Sequence, residues 1–510
     1  MDVLRLPSLL EELPPERTRL LDNLGQIRRE VGPLTPELAD ALADRMNLRR
    51  GDVHEVVSFY SFLRVQIDAV RVCTGPVCDA AGARAALPEG AIEVPCLGHC
   101  DLAPVVLHGD DVAGGVTHST NGFLLGPDEM REPAELTQDE VLERLEASGL
   151  VGMGGAGFPT WRKWDAIRRE PGPRVVVVNA DEGEPGTIKD RYVMELRPQL
   201  LLEGLAAAMR FCETDEAYIY LREEYATSRA RLEQAIREFR ETGLLDGRTL
   251  ELVVGAGAYI AGEETAMLES MEGRRAMPRL RPPFPAQIGY LGRPTLINNV
   301  ETLAHVPAIL RRGGEWWAAL GRREASGTRL WSVSGAVARP GCYEAPNGIT
   351  TRELVDEHAG GFTGDVGAVV PGGAASGILP PGALDAPLTR DGLAEYGAGV
   401  GSAALQVFPP TYSPLRLLGE TMRFFAEESC QKCTPCRIGN RALHHLCDEL
   451  EHGRAPMTRD KVDEWLLAME KTSICGLGQA SPIPVRNAMR WWPELFAPLD
   501  SAATPVSDTE

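Results

Sequence analysis

No stretch of this sequence stays apolar for the ~18–20 residues that a membrane-spanning helix needs. No repeat of solenoid period runs through it either. The first residues, Met1-Asp2-Val3-Leu4-Arg5-Leu6-Pro7, lack the basic start and sustained apolar run of a secretory signal. Basic side chains are in short supply: 52 Lys and Arg stand against 73 Asp and Glu, a formal net charge of −21. That excess repels phosphate backbones and anionic lipid, so nucleic-acid binding and direct membrane insertion are not expected. A cytoplasmic location is. What remains is ordinary globular composition, 44% apolar and 25% charged over 510 residues, the length of roughly three to four domains.

Eleven cysteines in such a chain point to metal or redox chemistry rather than a disulfide framework. Cys212, Cys342 and Cys447 are scattered and read as small buried hydrophobes. The other eight form two groups. Cys430-Gln-Lys-Cys433-Thr-Pro-Cys436 is C-x2-C-x2-C, closed by Cys475 after 38 intervening residues. Three thiolates on one short loop and a distant fourth suit the corners of a [4Fe–4S] cubane, whereas zinc usually takes two separated pairs. Pro435 is expected to keep this loop out of regular helix. Cys73-Thr-Gly-Pro-Val-Cys78 and Cys96-Leu-Gly-His-Cys100 form C-x4-C and C-x3-C, two loop pairs that suit [2Fe–2S], with zinc an open competitor. His99, between ligands, reads as a solvated bystander.

The glycines invite a different assignment. Gly152-Met-Gly154-Gly-Ala-Gly157 satisfies G-x-G-x-x-G, with Asp181 after a strand further on. A dinucleotide-binding fingerprint needs a strand before the glycines and a helix after them. Here Thr137-Gln-Asp-Glu140 opens a capped helix before the loop, and Phe158-Pro159 follows it. A conventional Rossmann domain is not expected. The glycines still allow backbone N–H groups to approach a phosphate or flavin ring. Asn179–Gly186, after the apolar strand Val175–Val178, has the same character, as do Gly255–Thr265, Arg281–Pro285 and Asn298–Thr302. Together they suggest a nucleotide or flavin pocket.

At these residues the chain resembles a known family. Gly154-Gly-Ala-Gly-Phe-Pro-Thr160, Asn179-Ala-Asp-Glu-Gly-Glu-Pro-Gly186, Gly262-Glu-Glu-Thr265, Pro282-Pro-Phe-Pro285, Asn298-Asn-Val-Glu-Thr302, the C-x2-C-x2-C loop and Cys475-Gly-Leu-Gly-Gln479 are similar to the NADH-oxidising flavoprotein subunit of complex I and its diaphorase relatives. Residues 1–108, through Phe59-Tyr-Ser-Phe62, Cys73-Thr-Gly and Cys96-Leu-Gly-His-Cys100, resemble its thioredoxin-like [2Fe–2S] subunit. Such a fusion resembles the NAD-linked subunit of molybdenum- or tungsten-dependent formate dehydrogenases, and also that of NAD-reducing hydrogenases.

The resemblance implies an α/β multidomain fold. Its expected parts are a helical segment (1–64), a thioredoxin-like [2Fe–2S] domain (65–108) and a linker (109–135). An FMN- and NADH-binding α/β domain (136–325), a ubiquitin-like soluble-ligand-binding β-grasp domain (326–400), a helical [4Fe–4S] domain (401–495) and a disordered tail (496–510) follow. FMN would be held by Gly152, Gly154, Gly155, Lys163, Asn179, Asp181, Tyr259, Gly262, Glu263, Asn298, Asn299 and Thr302. NAD(H) would meet Phe158, Glu184, Glu264, Arg281 and Phe284. No side chain need act as an acid or base, because flavin and clusters carry the redox chemistry. Adjacent carboxylates at the dinucleotide would favour NAD over NADP. The implied partner is a large formate dehydrogenase subunit with further iron–sulfur clusters, or else a hydrogenase or complex I subunit. Four departures stand out: only 17 residues separate Cys78 from Cys96, Met153 replaces a usual Arg and so removes a cation near the flavin, Arg281 replaces Lys, and Ala166 replaces an aromatic. Two other classes stay open, a zinc-stabilised scaffold and a Rossmann dehydrogenase.

Overall fold

The computed structural model describes residues 5–501 apart from 110, 113–115, 121, 127–134, 244 and 246. Four helices come first: Leu6–Glu12, Leu20–Glu30, Pro36–Arg45 and Arg50–Phe59. Thr35 caps the third, accepting from Leu38 N, with Pro36 in the first turn. Leu38 and Leu42 are buried on one stripe, continued by Met46 just past the helix end. These helices share one core with Met267 and Leu268 of the central region and with Phe424 and Leu446 near the C-terminus. They pack against the rest of the chain.

Strands β1 (Val70–Cys73), β2 (Ile92–Val94), β3 (Val106–His108) and β4 (Asp111–Val112) form a small sheet in the order β2-β1-β3-β4. β2 is parallel to β1, and β3 is antiparallel to it. The stretch 109–135, expected as a linker, is built into the fold where it is described. His118–Ser119 form β5, an edge strand paired with Gly341-Cys342 of a later sheet, and Leu124 and Leu125 are buried.

The central sheet holds β6 (Val175–Ala180), β7 (Glu216–Leu221), β8 (Thr249–Val254) and β9 (Thr295–Asn299), all parallel, in the order β8-β7-β6-β9. Side chains alternate between the faces of a strand. Val175 and Val177 accordingly enter the core shared with the terminal helices, and Val176 and Val178 enter the core on the opposite face. Both faces are covered, which is why the strand reads as an unbroken apolar run. The order reverses direction at β6, so the carboxyl ends of β6 and β9 flank a topological switch point, where α/β sheets bind ligands.

A third, mixed sheet follows, built from β10 (Thr328–Gly335), β11 (Gly341–Pro346), β12 (Ala368–Val370) and β13 (Ala404–Phe408), with β5 at its edge. The chain then becomes helical: Pro414–Glu428, Thr434–Glu451, Arg459–Thr472 and Pro482–Trp491. Residues 496–501, expected as part of a disordered tail, are built into the fold, where Phe496 and Leu499 are buried. Residues 502–510 of that tail lie outside the described residues. Among the described residues no helix is long and apolar enough to cross a membrane.

Candidate functional site

The glycine loop lies at the switch point. It follows the capped helix Gln138–Ser148 rather than a strand, which disposes of the Rossmann assignment. Gly152 N donates to Phe158 O (2.8 Å), and Met153 N donates to Thr302 Oγ1 (2.9 Å). A Cβ on Gly154 would touch Asn299 Cβ at 3.4 Å, whereas one on Gly155 (φ +119°) would meet nothing nearer than 4.0 Å. The loop thus presents bare backbone beside the end of β9, as a cradle for phosphate or ring requires.

The strand-end polar residues are fixed from behind. Trp164 Nε1 donates to Asn298 Oδ1 (3.0 Å), and Asn179 Nδ2 donates to Gly262 O (2.8 Å). Asn299 Oδ1 accepts from Thr302 N (3.3 Å), while its Nδ2 donates to Asp190 Oδ2 (2.6 Å). Asp190 belongs to a buried ionic group with Lys189 Nζ (2.8 Å), which also reaches Glu301 (3.0 Å). Sequence reasoning did not single out this group, although two adjacent charges just beyond the Asn179–Gly186 loop were a signal for it. Asp181 keeps one buried carboxylate oxygen without a partner. Burial holds its carboxyl well above the usual range. Burial, and then Asp190, push Glu182 up to about 7.

The sequence-derived residues do not all face the crevice. Glu263 spends one oxygen capping the helix Glu264–Met271, accepting from Thr265 N (3.0 Å) and Ala266 N (2.9 Å). Lys163 pairs with Glu264 (3.0 Å) and Arg281 lies 3.5 Å from the same carboxylate. Phe158 and Phe284 are half exposed at the rim. Glu184 is held on both oxygens: Tyr259 Oη donates to one, and Ala375 N donates to the other (3.0 Å). It fastens the third sheet's Gly373–Ala375 loop over the β6 end. Met153 is buried, with Arg329 Nη2 3.1 Å from its Sδ.

At the C-terminal cysteines a cavity of about 250 Å³ is lined by Cys430, Cys433, Cys436 and Cys475 together with Ile260, Pro278 and Leu477. Gln431 (φ +62°) turns the chain between the first two. Pro435 does not keep the loop out of helix as expected. It sits in the first turn of Thr434–Glu451, with Cys433 as N-cap, where its missing N–H is no loss. Cys475 is likewise the N-cap of Gly476–Ala480. Helix N-termini favour negative charge, so the thiolates of a cluster fit this cavity. Asn440 Nδ2 lies 3.3 Å from Cys436 Sγ and Ser429 Oγ is equally near.

The N-terminal cysteines converge as well. Cys73 ends β1, and its thiol lies near enough to those of Cys78 and Cys96, and that of Cys96 to that of Cys100, for each to shift the other's ionisation. All four are buried. Gly98 N donates to Cys96 Sγ (3.4 Å). His99 is not solvated. It is 6% exposed beside the Tyr225 ring, and burial, then Arg191 and Arg222, push it down to about 2.

Comparison with known proteins agrees with this geometry. Residues 145–308 match the model of the Nuo51 FMN-binding domain, and residues 416–498 that of the NADH-ubiquinone oxidoreductase-F iron–sulfur binding region. Residues 6–89 match the thioredoxin-like [2Fe–2S] ferredoxin model, and residues 331–378 match the SLBB domain. The second F-type subunit of NADH-quinone oxidoreductase in Rhizobium meliloti is 42% identical over 400 residues, 76% of this chain and 95% of that protein. The chain belongs to the F-type flavoprotein family of NADH-quinone oxidoreductases. The corresponding F-type protein of Streptomyces coelicolor is 41% identical over 382 residues, 73% of this chain and 85% of that protein. The family relationship makes this a diaphorase-type flavoprotein with an FMN- and NAD-binding domain, a [4Fe–4S] region and a [2Fe–2S] domain. Zinc is set aside. A solved structure of an NAD+-reducing [NiFe]-hydrogenase in the H2-reduced state superposes with a TM-score of 0.85 at 31% identity, covering 97% of this chain and 94% of that one. Beyond the F-type relatives, that structure shares the fused N-terminal region. The [2Fe–2S] match ends at residue 89, before Cys96 and Cys100.

Proposed function

We propose that the chain exchanges electrons between NAD(H) and a metal-containing partner subunit. FMN held at the switch point would supply the junction between hydride chemistry and one-electron transfer. The observation that carries this reading is the meeting of the bare Gly154-Gly155 backbone with the ends of β6 and β9. Gly152, Gly154 and Gly155 give room for backbone N–H donors. Asn179, Asp181, Asn298, Asn299 and Thr302 orient the flavin's polar edge. Lys163, Tyr259, Gly262 and Glu263 close its far side. Phe158 and Phe284 offer ring faces to a dinucleotide at the rim, with Glu264 and Arg281 beside them. Glu184, through Ala375, holds the roof that excludes water. Cys430, Cys433, Cys436 and Cys475 would hold the [4Fe–4S] cluster, and Cys73, Cys78, Cys96 and Cys100 the [2Fe–2S] cluster.

For the partner we infer a formate-oxidising molybdenum or tungsten subunit with further iron–sulfur clusters, in the cytoplasm. Support for it is the fusion of ferredoxin-like and flavin domains in one chain. A hydrogenase partner is the second reading, favoured by a hydrogenase structure that matches 97% of this chain. Co-expression with the subunits encoded beside it, followed by NAD+ reduction assays with formate and with H2, decides between them. Formate-dependent reduction supports the first reading, and H2-dependent reduction replaces it with the second. Absence of FMN from the denatured extract overturns both.

A further inference from the structure

The two halves of the N-terminal cysteine site are held by two different domains. Cys96–Asp101 is held by the flavin domain. Arg222 Nη2 donates to Cys96 O (3.1 Å), Tyr225 Oη donates to Gly98 O (3.4 Å), and Arg191 Nη2 grips both Asp101 oxygens (2.7 and 2.8 Å). Cys73–Asp79 is held instead by the helix Pro414–Glu428, which leads into Cys430. Arg416, Glu420, Arg423 and Glu427 lie along one face of it, at i, i+4, i+7 and i+11. Arg416 grips Asp79, next to Cys78, at 2.8 and 3.0 Å. Arg423 Nη2 donates to both Thr74 O (2.9 Å) and Thr74 Oγ1 (3.0 Å), next to Cys73. Thr74 is fully buried and Arg423 mostly so, at 14% exposure. The following Gly75 has no slack, since a Cβ there would fall 2.6 Å from Pro95 O.

We propose that Arg423 is a positioning residue for the [2Fe–2S] centre. Supplied by the [4Fe–4S] domain, it fixes the Cys73–Gly75 backbone and sets how readily that centre accepts an electron. The inference rests on the reading of Cys73, Cys78, Cys96 and Cys100 as cluster ligands. Cluster potentials respond to nearby charge, to hydrogen bonds around the ligands and to solvent access. Arg423 contributes to all three, because its guanidinium seals the loop, donates to its carbonyl and brings a cation near an anionic site. The ion pairs of Arg423 with Glu420 (2.9 Å) and Glu427 (3.0 Å) keep it in place. Arg423 lies five residues before the end of the helix at Glu428, about 8 Å at ~1.5 Å per residue, and Cys430 follows two residues later. One element thus spaces the two cysteine sites.

The test is a redox titration followed by electron paramagnetic resonance on the full chain, comparing wild type with Arg423→Gln and Arg423→Lys, with iron and FMN content measured alongside. In Arg423→Gln the [2Fe–2S] centre should become harder to reduce by at least tenfold in its reduced-to-oxidised ratio, about 59 mV for one electron. The [4Fe–4S] midpoint and FMN content should stay unchanged, and Arg423→Lys should recover part of the shift. Selective loss of the [2Fe–2S] iron in Arg423→Gln, with retention in Arg423→Lys, supports the same role. An unshifted [2Fe–2S] midpoint, or an equal disturbance of all three centres, overturns it. A wild-type protein without a [2Fe–2S] signal overturns the underlying ligand assignment, a result distinct from either.

Discussion

At the C-terminal cysteine site three of the four thiols come from seven consecutive residues, and two helix N-termini supply the favourable field. At the N-terminal site four thiols come from two loops, and each loop is clamped by a different domain. The first gathers three ligands on one loop and keeps Cys433 partly exposed, although Ile260 and Pro278 also line it and Arg275 Nη2 donates to Cys430 O (2.7 Å), while the second is wholly buried at a junction. A partly exposed ligand can be removed with little change in packing. A junction site cannot be separated from the packing that makes it.

The largest effect should therefore be the most contained. Cys433→Ala removes one corner of a cubane and should abolish the [4Fe–4S] signal and electron delivery to any partner. FMN content and flavin bleaching by NADH in a rapid-mixing experiment should persist. A folded, FMN-loaded variant that no longer bleaches would show that the two sites are not independent.

The junction should respond through stability. Asp101 is buried and accepts from Arg191 twice and from Tyr192 Oη (2.7 Å). Asp101→Ala leaves buried Arg191 only its longer contact with Glu195 (3.9 Å), a loss of about 3 kcal/mol. The exposed pair Arg454–Glu449 (2.6 Å) is the control, where Arg454→Ala should leave the unfolding temperature nearly unchanged. Thermal unfolding compares them. Equal shifts would mean that the clamp carries no load. Gly98→Ala probes the same junction more gently. Gly98 has φ +70°, and its Cβ would lie 2.6 Å from the Tyr225 ring. A loss of about 1–3 kcal/mol is expected from the overpacking, read as a lower unfolding temperature with FMN retained.

What the sequence disclosed follows the same division. The C-x2-C-x2-C loop, the glycine loop and the β6 run are encoded within a few residues each, and so were legible. Pro435 was misjudged, because proline breaks a helix interior but suits a first turn, and spacing alone does not say where the helix begins. His99 was misplaced for another reason. Its surroundings come from residues far away in sequence, Tyr225 and Arg222. The segment 109–135 looked like linker because a two-residue edge strand leaves no periodicity to read.

The smallest effect concerns NAD against NADP, and it compares two carboxylates that the sequence placed together. Glu264 stays at the crevice but is paired with Lys163 and Arg281, so its charge is partly offset there. Glu184 is partly buried, with both oxygens engaged, and desolvation raises its carboxyl above the usual range. An added 2′-phosphate near the rim would therefore feel Glu264 far more than Glu184. Screening by the two cations limits the preference of the wild type to between about tenfold and a hundredfold for NADH, each tenfold step being ~1.4 kcal/mol. Glu264→Gln should relax it by up to about tenfold, because Arg281 is then free to attract the phosphate. Glu184→Gln should leave the NADH-to-NADPH ratio of kcat/KM within about twofold, since that side chain holds Ala375 rather than a ribose. If instead Glu184→Gln relaxes selectivity as much as Glu264→Gln, then Glu184 releases Ala375 and turns to the ribose when the dinucleotide binds. The roof over β6 would then be a part that moves during turnover.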